Sequence, residues 1–163
     1  MKLQEELVLP QPIAQLPHEA LMNIYYTASR AKKKADEFFR TRGLTDVQFN
    51  VMMLLVTQSG DDGGLAQVDL SRMMLVNRAN ITSLIDRMEK ANLVKRVAAP
   101  DDRRYNIVKL TTLGRKLYDG VVQEYAENTR IIMRGLNQKD TRLLIGYLER
   151  IRESLDAVST GTP

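Results

Sequence analysis

One stretch of this chain, Asn77 to Leu110, has to be accommodated by any fold it adopts. There a capped helix leads within a few residues into a charged hairpin. Asn77 is a strong N-cap residue, and the residues after it predict a helix from Arg78 to Ala91. Ile81, Leu84, Ile85 and Met88 share one face of that helix. Asn92 follows, one of the few non-glycine residues that tolerate a left-handed cap. Leu93–Ala98 and Tyr105–Leu110 read as strands, with partial alternation at Val94/Arg96 and Ile107/Lys109. The segment joining them, Ala99-Pro100-Asp101-Asp102-Arg103-Arg104, is dense in turn formers and charge and predicts a hairpin tip.

Helical periodicity governs the rest. Residues 1–16 hold Pro10 and Pro12 among isolated apolar residues and predict an extended N-terminal arm. From Pro17 to Arg42, Leu21, Ile24, Tyr25, Ala28, Ala35, Phe38 and Phe39 recur at helical spacing, with Gly43 as the stop. Thr45-Asp46-Val47-Gln48 is a capping-box pattern that leads into a short, strongly buried helix over Phe49–Val56. Asp61-Asp62-Gly63-Gly64 predicts a turn, and Val68, Leu70, Met73 and Met74 a brief helix ending near Leu75-Val76. Two longer helices follow, from about Thr112 to Gly135 and from about Gln138 to Val158. On the last of them Leu144, Leu148, Ile151, Leu155 and Val158 make a stripe that belongs either to a core or to a seam against another helix.

Composition excludes several classes of function. The chain has 163 residues, a length suited to one domain with a real core. It has no cysteine, which removes disulfides, thiolate metal sites, cysteine nucleophiles and thiol redox sensing. His18 is the single histidine, so His-rich metal sites fall as well, and a lone histidine beside Pro17 in an arm reads as structural or exposed rather than as a pH sensor. Carboxylate pairs remain, but Asp61-Asp62 sits in a glycine turn and Asp101-Asp102 beside arginines at a tip, so neither reads as a buried acid/base pair. The longest apolar run, Val51–Val56, is far below the roughly 20 residues of a membrane span, and no secretory leader is visible. A cytoplasmic protein that is not an enzyme, with no cofactor and no metal, is the expectation.

Charge supplies a partner. Residues 66–116 hold eleven Lys and Arg against five Asp and Glu, whereas the remainder of the chain is slightly acidic. A basic block of this kind suits an anionic partner meeting one face, here double-stranded DNA. Arg78, Asn80, Thr82 and Ser83 lie near the N-terminus of the capped helix, the end that enters a major groove, with Arg87 one turn on. Arg103 and Arg104 at the hairpin tip have the shape for a minor groove, and Lys95, Arg96 and Lys109 along the ribbon can neutralise phosphates.

The stretch from Asn80 through Arg96 resembles the recognition helix of the MarR family of transcriptional regulators. Asp101-Asp102-Arg103-Arg104, followed by Val108 to Gly114, resembles that family's wing and the entry to its next helix. The resemblance implies a mainly α fold with a small β-wing: a winged helix-turn-helix over 45–111, flanked by a dimerisation region over 17–44 and 112–158. It implies a homodimer and a pseudo-palindromic operator that the dimer represses; the apolar stripe of the last helix and the N-terminal apolar residues then read as a mixed intra- and intersubunit interface over Leu16, Leu21, Leu144, Leu148, Ile151 and Leu155. It further implies an Asp86–Arg104 pair bracing the wing, with Arg103 as substitute. A small aromatic or phenolic effector would sit among Tyr25, Tyr26, Arg30, Phe49, Met52 and Met53. Two positions depart from the family pattern: Asn92 stands where glycine is usual, and Ala66 where Ser or Thr often caps the short helix. The competing use of the same fold is a protein-assembly module, which would present an apolar rather than a cationic face.

Overall fold

A computed structural model of the chain describes residues 2–60, 63–98 and 106–158. In chain order the elements are α1 (Leu3–Glu6), α2 (Leu16–Arg40), α3 (Asp46–Thr57), β1 (Gly64–Ala66), α4 (Gln67–Met73), α5 (Arg78–Lys90), β2 (Val94–Ala98), β3 (Asn106–Leu110), α6 (Thr112–Met133) and α7 (Gln138–Ala157). The fold is helical with one small antiparallel sheet, as the sequence predicts. No helix among the described residues is long and apolar enough to cross a membrane.

Local chemistry explains most boundaries. In α2 Pro17 falls in the first turn, where its fixed φ suits the helix and its missing N–H leaves nothing unpaired. The predicted capping box opens α3: the Gln48 N–H donates to Thr45 Oγ1 at 3.3 Å and the Thr45 N–H to Gln48 Oε1 at 2.9 Å. Asn77 Oδ1 accepts from the Asn80 N–H at 2.8 Å and starts α5. Asn92 then adopts a φ of 55°, so that the N–H groups of Asn92 and Leu93 close on the carbonyls of Glu89 and Met88. The end of α4 uses the same closure on Leu75, at a φ of 52°. A leucine in that left-handed conformation costs roughly 1–2 kcal/mol.

Two expectations need correction. The N-terminal arm is not extended throughout: Leu3–Glu6 form one helical turn, Leu3 is buried, and Glu6 makes an ion pair with Arg30 of α2. The first proline in the arm is Pro10, so nothing before it forbids helical backbone. The sheet also has three strands rather than two. Gly64–Ala66, read as the end of a turn and the lead-in to α4, pairs antiparallel with β3, giving the order β1-β3-β2. Leu65 faces Val108 on one side of β3 and Arg96 faces it on the other. A Cβ at Gly64 would fall 2.5 Å from Ile107 Cγ2 and 2.8 Å from the Val108 oxygen, so only glycine fits this approach.

The chain divides into two compact units, one up to Tyr118 and one from Asp119 onwards. The core of the first unit gathers Phe39, Phe49, Val51, Met52, Leu70, Ile81, Ile85, Met88, Val94 and Val108, all nearly or wholly inaccessible. Phe49 stacks between Phe39 and Tyr118, with ring centroids 4.6 and 5.6 Å away. Between α2 and α3, Lys32 Nζ donates to Asp46 Oδ2 at 2.8 Å, and that hydrogen bond raises the Lys32 pKa above its usual value. At the entry to α6 a Cβ on Gly114 would sit 2.0 Å from the Leu93 carbonyl oxygen. Glycine there lets the helix start against the base of the β2–β3 ribbon. Thr111 secures the same joint, accepting from the Gly114 N–H at 3.0 Å and donating to the Asn92 carbonyl at 2.6 Å.

Candidate nucleic-acid interface

Helix α5 has two unlike faces. Ile81, Leu84, Ile85 and Met88 are at most 6% exposed and anchor it. Each such buried aliphatic side chain stabilises the fold by about 1.5–3 kcal/mol. Arg78, Asn80, Thr82, Ser83 and Arg87 are all exposed on the other side. No acidic residue stands in the first turn, so the partial positive charge of the helix N-terminus adds to Arg78 rather than being offset. This end can therefore receive a phosphate while the side chains beside it reach base edges.

The ribbon is only partly as expected. Strands β2 and β3 pair from Val94↔Leu110 to Ala98↔Asn106, and Lys95 is exposed along it. Arg103 and Arg104, assigned to its tip, lie outside the described residues. Arg96, read as a phosphate contact, is instead held within the chain. Its Nη2 donates to Asp86 Oδ1 and its Nη1 to Glu89 Oε2, each at 2.6 Å, and its Nε to Gln67 Oε1 at 3.3 Å. The Arg96 N–H also reaches Glu89 Oε1 at 2.9 Å. The side chain is 20% exposed, enough shielding from water for charge-assisted bonds to hold one geometry. Asp86 thus bonds to Arg96 on β2, while its expected brace with Arg104 lies outside the described residues. A carboxylate one helical turn from Glu89, beside the ribbon, meets the nearest strand guanidinium.

Gln67 and Glu89 were not singled out from the sequence. Glu89 carried a readable signal, since it lies three residues after Asp86 on the same helix face. Gln67 carried none; its importance comes from a position between α5 and β2 that only the folded chain creates. Its Nε2 lies 2.5 Å from Thr82 Oγ1.

The six residues assigned to an effector pocket are not gathered in the single chain. Phe49 and Met52 are fully buried in the core, Met53 is half-buried, and Tyr25 is 61% exposed. For Phe49 and Met52 the helical spacing reflects core packing. Tyr26 and Arg30 do share an open groove of about 530 Å³, lined also by Glu5, Glu6, Lys33, Lys34 and Glu37. The Arg30 guanidinium sits 5.8 Å from the Tyr26 ring centre. Lys34 hydrogen-bonds Glu37 and holds its carboxyl below the usual range. His18 is exposed on the first turn of α2. Of the residues assigned to a dimer seam, Leu16, Leu21, Leu144, Ile151 and Leu155 are exposed and Leu148 is half-buried.

Comparison with known proteins places the chain beside a family profile, two curated relatives and two solved structures. A sequence profile of the MarR family matches residues 42–104. The transcriptional regulator FarR of Neisseria gonorrhoeae is 31% identical over 117 residues, covering 72% of this chain and 77% of FarR. PecS of Dickeya dadantii (strain 3937) is 27% identical over 120 residues, covering 74% and 72%. Among solved structures, AbsC, a MarR family transcriptional regulator from Streptomyces coelicolor, superposes with a TM-score of 0.78 at 21% identity, over 90% of this chain and 99% of that one. MepR of S. aureus, solved as a DNA complex, superposes with a TM-score of 0.74 at 21% identity, over 81% and 93%.

Proposed function

Since this chain belongs to the MarR family of transcriptional regulators, we propose that it is a ligand-responsive homodimeric repressor of pseudo-palindromic double-stranded DNA, acting in the cytoplasm. The family is one of regulators rather than enzymes. The observation that carries the reading is the division of α5 into a buried apolar face and an exposed face bearing Arg78, Asn80, Thr82, Ser83 and Arg87. A protein-assembly module would expose an apolar face here instead. Arg78 and Asn80 read base edges; Lys95, Arg103 and Arg104 grip phosphate or the minor groove. The solved DNA complex of MepR supports the choice of partner.

Dimerisation is supported by the second unit, where Leu143, Leu144, Ile145, Tyr147, Ile151 and Leu155 are all more than a third exposed. So much apolar surface on one helix calls for a cover, and a second copy sets two recognition helices about one helical turn, roughly 34 Å, apart. The residues over 17–44 and 112–158 form this dimerisation region, and 45–111 the winged domain. For the effector we assign Tyr26 and Arg30 to an aromatic carboxylate or phenolate, which would stack on the ring and take the place of Glu6 on the guanidinium.

Selection of bound fragments from the source genome tests the reading. The expected result is a two-fold symmetric site, bound by two chains, and released as an aromatic acid is titrated in. Equal affinity for all duplexes would refute specific regulation, and unchanged operator affinity across aromatic acids would remove the effector.

A further inference from the structure

Thr82 sits on the exposed face of α5 and borders an open groove of about 520 Å³ shared with Gln67, Arg78 and Asn106. Its hydroxyl has two close partners within the chain: Gln67 Nε2 at 2.5 Å and the Arg78 carbonyl oxygen at 2.8 Å. The direction of these bonds follows from Arg96. A guanidinium donates and never accepts, so the amide atom of Gln67 facing Arg96 Nε must be the carbonyl oxygen. The other amide atom is then the NH2 group, and it donates to Thr82 Oγ1. With one lone pair taken by Gln67, the single hydroxyl proton goes to the Arg78 carbonyl, its remaining close partner. What Thr82 has left for a ligand is one lone pair and no proton.

We infer that Thr82 is a specificity-determining residue acting only as a hydrogen-bond acceptor, and that Gln67, oriented by Arg96, is the positioning residue that makes it so. A hydroxyl free to rotate serves donors and acceptors alike. A hydroxyl polarised in this way selects an exocyclic amino group in the major groove, adenine N6 or cytosine N4. It rejects guanine O6 and thymine O4, whose lone pairs would face its own. This assignment rests on the reading that α5 enters the major groove.

The test is selection from a randomised half-site library with the full chain, as wild type, Thr82→Val, Thr82→Ser and Gln67→Leu. One position in each half-site is expected to carry A or C on one strand over G or T by about tenfold in the wild type. Thr82→Val, which keeps the methyl and replaces the hydroxyl with a second methyl, is expected to abolish that preference, and Thr82→Ser to keep it. Gln67→Leu frees the hydroxyl to rotate and is expected to reduce it below about threefold at that position, with preferences elsewhere in the half-site unchanged. A role in stability alone would instead weaken all positions together. Should Gln67→Leu fail to fold, as thermal unfolding would reveal, the Val and Ser pair decides on its own.

The assignment is overturned if the Thr82-dependent position carries G or T. It is overturned equally if Ser rather than Val loses the preference, which would mean thymine read by the methyl, or if folded Gln67→Leu selects as wild type does. A wild-type protein that selects no sequence at all sinks the groove reading together with this one, whereas a symmetric operator with the wrong base sinks this one alone.

Discussion

Helices α5 and α7 carry the same kind of apolar stripe and end in different surroundings. In α5, Ile81, Leu84, Ile85 and Met88 are at most 6% exposed. In α7, Leu144, Ile151 and Leu155 are 38%, 37% and 59% exposed. Periodicity states that a face is apolar; it does not state which chain covers it. The α5 stripe meets α4 and the sheet of its own unit, so its burial is complete in one copy. The α7 stripe is exposed in one copy; in the proposed homodimer a partner covers it, and its contribution to stability then depends on protein concentration.

The sharpest break of this comparison is Ile85→Ala. Ile85 is fully buried, so the loss should be about 2–4 kcal/mol in chemical unfolding, the same at low and high protein concentration. A loss well under 1 kcal/mol would mean that α5 is not anchored as described. Next in size is Ile151→Asp, which sets a charge on the α7 stripe. Sedimentation should show the dimer dissociating at least tenfold more readily, and the unfolding midpoint should cease to rise with concentration. An unchanged dimer would assign the stripe to an intrachain core instead.

A smaller effect separates the two kinds of cation on the ribbon. Arg96→Gln leaves Asp86 and Glu89 side by side without their guanidinium and should cost about 1–2 kcal/mol of stability. Lys95→Ala should leave stability within about 0.5 kcal/mol but lower the salt slope of DNA binding by about one. Identical behaviour of the two would erase the distinction between brace and phosphate contact. The smallest effect tests the turn before α5: Leu75→Gly removes left-handed strain from a residue 92% exposed and should raise stability by up to about 1 kcal/mol.

Much of the fold was legible because its signals are local. The capping box at Thr45, the cap at Asn77 and the left-handed Asn92 each involve residues within five positions of one another, and each stands as predicted. The hairpin strands were legible because their alternation flanks a short run of turn-forming residues. At the site, the exposure of Arg78, Asn80, Thr82, Ser83 and Arg87 followed from the opposite face being apolar. Arg96 was misread because a strand arginine next to an exposed lysine looks the same in sequence whether it faces phosphate or a helix.

The sequence alone determined where most helices begin and end, α1 excepted, which faces are apolar, and that a capped cationic helix precedes a hairpin, since neighbours in the chain settle those matters. Only the tertiary structure decided that Gly64–Ala66 is a strand, that Leu3 is buried, and that Gln67 lies between Arg96 and Thr82. Each of those depends on groups distant in sequence, and their energies appear only once the chain has closed the loops between them.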